Sequence, residues 1–464
     1  MDDLLDMVKL AGKEYLAPWE KAFDQILTPL EEFIHRQTTS GVLLMFCAVV
    51  ALVIGNGPWA EDFHHLLETK STLGTANWNV SMSIHHWVND GLMALFFFVV
   101  GLELKRELLV GELSDVKQAM LPIIAAIGGM VLPALFYLAF NSSGPHMDGW
   151  GVPMATDIAF ALGALALLGN RVPKTLLTFL VALAIVDDLG AVTVIAVFYT
   201  EEINLLALGS AAGIFLLLMI LNLGGIRRTL PYVLLGILLW LELLASGVHA
   251  TLAGILLAFT IPMQPKLDPE RFIARTSSLI EKIRQSHREE KNIIKNYKLR
   301  SQVTALGDGV YLAQAPAQVL EHTMHIPSSY VIIPIFALAN AAIPIDWSAV
   351  GTTATNPVAL GVVAGLVFGK LLGIAGFVWI AVKLGVSPLP NGLNFKHIIG
   401  VSLLGGIGFT MSIFIAELAF AHSAADLLMA KTGILAASLV AGVGGYLWLY
   451  FTAETSVKGS QDNS

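Results

Sequence analysis

Apolar residues in this chain come in blocks about twenty long, with polar residues confined to the short stretches between them. A helix needs roughly 20 mainly apolar residues to cross a bilayer. On that ruler twelve segments qualify, over 40–57, 86–108, 119–140, 150–169, 175–199, 204–223, 231–245, 247–263, 327–345, 357–382, 397–420 and 430–452. The pattern predicts an all-α polytopic membrane protein with about 12 transmembrane helices. It also divides the chain into an N-terminal segment (1–39), spans one to eight (40–263), a charged loop (264–326), spans nine to twelve (327–452) and a tail (453–464).

Composition agrees: of 464 residues, 55% are hydrophobic and 13% charged, with a mean hydropathy of +0.71, too little polar surface to cover a soluble globule of this size. The formal net charge of −8 argues against a nucleic-acid partner, and the basic residues lie in loops rather than on one face. Their distribution sets the orientation, because cytoplasmic loops carry the Lys and Arg excess. Loops on one side hold twenty-four basic residues, those on the other only Lys70 and Lys431, and Lys370 falls inside a span. Both termini are therefore expected in the cytoplasm. Residues 1–39 show no basic n-region, h-region or small-residue cleavage site, so no cleaved signal peptide is expected. Cys47, the single cysteine, cannot form an internal disulfide and reads as a packing residue.

Two loops stand out. The external loop from Pro58 to Ser83 contains Trp78-Asn-Val-Ser-Met, readable as a hairpin strand against a partner subunit or as a plain loop. In the cytoplasmic segment Pro265–Pro316, the Arg275–Arg300 portion reads as a solvated helix with mixed-sign faces, or else as a regulatory docking site.

Each half of the chain also holds a hydrophobic segment broken by small residues. These are Gly149-Trp-Gly-Val-Pro-Met-Ala-Thr-Asp157 and Leu404-Gly-Gly-Ile-Gly-Phe-Thr410. Paired interruptions point to an inverted-repeat transporter whose two discontinuous helices cross at the midplane. Unwound backbone at such a crossing offers carbonyls to a cation and leaves half-helix ends with facing partial charges. Two merely flexible or closely packed helices are the alternative.

Ionisable residues inside the spans point to ion or proton movement. Asp187 and Asp188 interrupt the run Val181–Val194, and about 100° separates neighbours on a helix, so at most one faces a given cavity centre squarely. Asp157 follows the first break with Thr156 beside it as a neutral oxygen, and Lys370 in span ten calls for a carboxylate partner. Three carboxylates and one ammonium make an oxygen-rich site for a hard cation that also binds protons. A site holding either, presented alternately to each side, is an exchanger. A buried salt bridge that only fixes helix register would need one Asp–Lys pair, not three acids.

Asp90 and Glu103 bracket span two and read as ordinary interface residues, while Glu242, His249 and Glu417 read as paired helix-end groups. Glu321, His322 and His325 gather at the cytoplasmic mouth of span nine, where histidine titrates in the relevant range. No cofactor is called for. An intramembrane aspartyl protease is the enzymatic alternative, but the spans lack its Gly-x-Gly-Asp signature and Lys370 has no place in that chemistry. A passive cation channel is a third reading, disfavoured because broken helices around a central site suit alternating access.

Three stretches, Ala155-Thr-Asp-Ile-Ala-Phe-Ala-Leu-Gly163, Ala184-Ile-Val-Asp-Asp-Leu-Gly-Ala191 and Gly408-Phe-Thr-Met-Ser-Ile-Phe-Ile415, together resemble the NhaA-type sodium/proton antiporters. Further matches are Asn89-Asp-Gly-Leu-Met-Ala94, Gly101-Leu-Glu-Leu-Lys-Arg-Glu-Leu108, Ser246-Gly-Val-His-Ala-Thr-Leu-Ala-Gly254 and Pro334-Ile-Phe-Ala-Leu-Ala-Asn340. The resemblance implies a pH-regulated, electrogenic exporter of sodium or lithium in the bacterial inner membrane. It implies that Asp188 and Asp157 ligate Na+ or Li+ with support from Thr156, and that Asp187 pairs with Lys370 and trades that bridge for a proton. It further implies that Glu103, Arg106, Glu107, His249, Glu321 and His322 form a pH-sensing and gating network, and that the protein dimerises through the loop after span one.

Overall fold

The computed structural model describes residues 37–75, 78–200, 203–289, 294–344 and 355–452. The expected cytoplasmic tail, and all but the last three residues of the expected N-terminal segment, lie outside these. The described chain is almost wholly helical, as the apolar blocks predict, because a backbone in lipid must satisfy its own hydrogen bonds. Among the described residues, eight helices are long and apolar enough to cross a bilayer, and up to ten if each of two sharply bent pairs is one span.

The chain begins with α1 (Gln37–Gly55) and α2 (Ala60–Glu68), followed by β1 (Lys70–Thr75), β2 (Trp78–Ser83) and α3 (Ile84–Leu109). The strands pair antiparallel, Lys70 opposite Ser83, so the loop after the first span is a hairpin. Next come α4 (Val116–Phe140), a 3-10 segment Pro145–Met154, α5 (Ile158–Ala166) and α6 (Lys174–Phe198). A lateral group comes after them: α7 (Leu205–Leu223), α8 (Thr229–Ser246) and α9 (Leu252–Thr260). The block read over 247–263 is helical for only the nine residues of α9, because 3-10 bonds such as Leu252 N–H to the His249 carbonyl (3.1 Å) precede it. Lys105 closes the other end of α9, donating to the carbonyls of Phe259 (2.7 Å) and Ile261 (2.5 Å), a cation where the helix dipole is negative.

The charged segment after the eighth block folds differently from the single helix expected over Arg275–Arg300. It is a pair, α10 (Pro269–Glu289) and α11 (Tyr297–Ala313). Asn296 restarts the helix by accepting from Leu299 N–H (2.9 Å), and its amide donates to the Ser286 carbonyl (2.7 Å), tying the two helices together. Lys266 and Leu267 N–H both bond the Leu312 carbonyl, closing the base of the hairpin.

The second membrane half contains α12 (Pro316–Pro327), continued through a wide π-turn (Ser328–Ile332) into α13 (Ile333–Asn340). Then come α14 (Pro357–Lys383), α15 (Phe395–Leu404), α16 (Phe409–Ala419) and α17 (Ala424–Thr452). Each half thus has a long helix, a broken helix and another long helix. The leading helices α4 and α14 run antiparallel, Gly128 meeting Gly373, Pro133 meeting Gly369 and Tyr137 meeting Gly361. Opposed leading helices are what an inverted repeat requires.

Close approach of α4 and α14 depends on Gly128 and Gly373, since a Cβ on either would collide with the other's backbone carbonyl. Gly373→Ala gains about 1 kcal/mol of intrinsic helix propensity. Overpacking costs typically about 1–3 kcal/mol, and here the obstructing atom is backbone that cannot rotate away. The expected net result is a lower unfolding temperature in detergent; a higher one would show that propensity outweighs the contact.

Candidate functional site

Both interruptions occur where the sequence loses helix-forming residues, and the two meet. After the Gly- and Pro-containing 3-10 segment, Ala155 and Asp157 are extended, at φ −79°, ψ 147° and φ −83°, ψ 100°. On the other strand of the crossing, α15 ends at Leu404 and α16 resumes at Phe409, bent by 48°. Asp157 N–H donates to the Ile407 carbonyl (2.7 Å), and Thr156 Oγ1 donates to the Gly405 carbonyl (2.9 Å). Unwound backbone from one half therefore satisfies unwound backbone from the other.

Asp157 is held from both sides. Its Oδ1 caps α5 by accepting from Phe160 N–H (3.0 Å), while Oδ2 accepts from Thr410 N–H (3.0 Å) and the Thr410 hydroxyl (2.5 Å). A carboxylate at a helix N-terminus sits where the dipole is positive. Thr410→Val keeps the shape and removes the hydroxyl donor. Losing a hydrogen bond to a charged group costs about 1.5–3 kcal/mol, so this variant should unfold at lower temperature in detergent, whereas Thr410→Ser should match the parent.

Lys370 comes directly after a π-turn (Ala364–Gly369) within α14. One extra residue per turn rotates the remainder of the helix by about 100°. The Lys370 Nζ donates to Asp187 Oδ2 (2.7 Å) and to Thr156 Oγ1 (3.0 Å). Asp157, Asp187, Asp188 and Lys370 are 2%, 1%, 1% and 0% exposed, so no solvent screens them. Asp188, one residue along α6, points elsewhere: both its carboxylate oxygens are buried and accept no hydrogen bond from the described residues. The charged groups acting on it are Asp187, Asp157, Glu103 and Lys370. A carboxylate in that setting is ready to take a cation or a proton. No group of three or more His, Cys, Asp or Glu suited to a metal occurs among the described residues, so an ion here would be completed by hydroxyl, carbonyl or water oxygens.

The residues expected to gate are partly assembled. Arg106 pairs with Glu107 (2.8 Å) and with Glu321 of α12 (3.3 Å), joining α3 to α12. Glu103 interacts electrostatically with Arg106, Glu107 and Glu321 as well as with Asp188, which links this group to the central site. His322 is exposed on α12. His249 lies apart, its Nε2 against the Tyr199 carbonyl (2.5 Å) at the opposite end of α6 from Lys174. Glu417 is a paired helix-end group, bonding Lys431 (2.5 Å) and lying 3.7 Å from His85, and Asp90 meets His86 at 2.9 Å. Sequence reasoning places the Gly405–Thr410 break at the site but misses Thr410 as the hydroxyl that holds Asp157. Its position at the end of the break is the available signal.

With this geometry in place, likeness to known proteins becomes informative. The family described as Na+/H+ antiporter 1 matches residues 31–449. The Na(+)/H(+) antiporter NhaA 1 of Saccharophagus degradans is 53% identical over 432 residues, 93% of each chain. The NhaA of Sulfurimonas denitrificans is 52% identical over 95% of this chain and 99% of its own, and that of Syntrophobacter fumaroxidans is 47% identical over 97% and 95%. Apolar spans, two crossing broken helices and a buried acidic centre are thus joined to a match along nearly the whole chain. This polytopic membrane protein belongs to the NhaA sodium/proton antiporter family, whose members are secondary transporters rather than enzymes.

Proposed function

We propose that the protein expels sodium, and lithium, in exchange for protons by alternating access, electrogenically and under pH control. The observation that carries this reading is Asp188, a buried carboxylate whose two oxygens have no hydrogen-bond partner among the described residues, near Asp157 at the crossing of two broken helices. An ionisable group left unsatisfied at membrane depth is costly unless its occupant changes. Asp188 and Asp157 ligate the cation with Thr156. When the cation leaves, protons take its place, and the Asp187–Lys370 bridge opens to hold one of them. The site has more protonatable groups than a monovalent ion has charge, which supports a net movement of charge per cycle. Glu103, Arg106, Glu107 and Glu321, with His249 and His322, set the pH dependence. The hairpin β1–β2 offers its free edge to a second copy, giving a homodimer in the lipid of the bacterial inner membrane with both termini cytoplasmic. The site residues need no cofactor for this exchange.

Dequenching of a pH probe in everted vesicles when sodium is added tests the exchange directly. Sodium and lithium should each collapse the proton gradient, potassium should not, and the response should change steeply with pH. A sodium current with no proton counterflow would make the protein a channel.

A further inference from the structure

The hairpin α10–α11 has a single inner seam. Phe272, Leu279 and Ile283 of α10 are partly covered, and so are Leu299, Gln302 and Gly309 of α11. A Cβ on Gly309 would be 3.8 Å from the Phe272 ring, and Asn296 bonds the Ser286 carbonyl, which fixes an antiparallel register. One residue further along a helix lies about 100° around it. Because both helices are right-handed and run in opposite directions, one step past the seam leads to the same flank on each.

That flank has an unusual composition. The residues one step past the seam are Ile273, Ile280 and Arg284 on α10, and Arg300, Val303 and Val310 on α11. The register sets Ile273 beside Val310 and Ile280 beside Val303, with Arg284 and Arg300 following toward the turn. The four aliphatic side chains are 63%, 42%, 40% and 43% exposed in that order, and both arginines are exposed. Glu270, Glu281 and Asp308 fall on the sides of the helices away from the seam. Glu281 approaches Arg284 at 3.7 Å with both side chains exposed, a pair of the kind that contributes little. The opposite flank, one step before the seam, holds Arg271, Ser278, Lys282 and Ser301 and no exposed large apolar side chain.

Position and charge select the partner. The base of the hairpin is tied to the membrane bundle, Ala317 N–H of α12 donating to the Pro262 carbonyl beyond α9 (3.2 Å). Gln314 and Ala315 are extended, at ψ 146° and 132°, so the chain turns between α11 and α12 and the hairpin leaves the axis of α12. These short connections hold it within reach of the bilayer surface. Residues 264–315 carry ten basic and six acidic side chains in a chain whose net charge is −8, so this segment alone is drawn to a negative surface. Aliphatic residues and arginines on one helical flank are the composition that enters the boundary between headgroups and acyl chains.

We infer that the flank carrying Ile273, Ile280, Val303 and Val310 docks on an anionic phospholipid surface, the aliphatic side chains entering the interface and Arg284 and Arg300 binding lipid phosphates. Docking needs both parts: the four side chains supply a small apolar area, and the arginines make it selective for negative lipid. It does not depend on which ion the central site carries.

The test uses full-length Cys47→Ser protein reconstituted in vesicles, with a bimane label on Ile280→Cys or, on the opposite flank, on Ser278→Cys. Quenching by phospholipid brominated near the top of its acyl chains reads contact with the bilayer. In vesicles of phosphatidylcholine with phosphatidylglycerol, the label on Ile280→Cys should be quenched several times more strongly than that on Ser278→Cys. In phosphatidylcholine alone the difference should vanish. Arg284→Gln and Arg300→Gln should each weaken docking about fivefold, and high salt on both sides of the membrane should weaken it as well. Equal quenching at the two positions would overturn the proposal, and so would strong quenching at position 280 that needs no phosphatidylglycerol. Rapid disulfide formation between two copies of unlabelled Ile280→Cys protein in the anionic vesicles would overturn it too, because a second copy would then cover this flank.

Discussion

Asp188→Asn abolishes sodium-dependent proton movement in everted vesicles and leaves the protein at least as stable as before. Both halves of this expectation come from one observation. The Asp188 oxygens accept no hydrogen bond from the described residues, so replacing the carboxylate with an amide breaks none of the bonds that hold α6. It removes an uncompensated buried charge, and such charges are strongly destabilising where they occur. The ion-exchanging group disappears in the same step, because an amide neither takes up a proton near neutral pH nor carries the charge that attracts a cation. Activity and stability should therefore move in opposite directions. Near-normal exchange would remove Asp188 from the transport cycle. A collapse in unfolding temperature would show that its oxygens have structural partners after all.

Lys370→Met should do the reverse to stability. The ammonium is 0% exposed and bonded to Asp187 and Thr156, so its loss leaves the Asp187 carboxylate buried without a cation. Removing one partner of a buried pair costs about 3–5 kcal/mol, while replacing both with neutral groups of similar volume is often close to neutral. Thermal unfolding of Lys370→Met, Asp187→Asn and the double variant separates these terms. The double variant should recover most of what Lys370→Met loses. If the losses simply add, the 2.7 Å contact contributes nothing specific and the proton-linked role proposed for Asp187 has no structural support.

How much of the site is legible in the sequence differs from residue to residue. Asp187 and Asp188 are visible because two adjacent acids in an apolar run are costly, and the 100° helical offset is enough to divide their roles. Geometry along the chain does not say which one pairs with Lys370, since that depends on the π-turn Ala364–Gly369 that rotates the ammonium. Thr410 is equally hidden. A threonine after a glycine-rich break is an ordinary residue until Asp157, 253 positions earlier, is brought to its hydroxyl. His249 is hidden in the same way: its place against the Tyr199 carbonyl is set by a residue 50 positions away in the chain.

Composition and local spacing are enough to specify the apolar blocks, the two interruptions, the orientation expected from basic loops and the presence of charges that lipid would otherwise exclude. All of these are written within a window of about twenty residues. Long-range packing settles the rest: nine residues of the eighth block are helical, Arg275–Arg300 is a hairpin rather than one helix, and α4 and α14 touch through Gly128 and Gly373. It is also packing that hydrogen-bonds both oxygens of Asp157 and leaves those of Asp188 without a partner among the described residues. Hydropathy places a residue in the membrane, but whether its polar atoms are satisfied depends on what another segment places within about 3 Å.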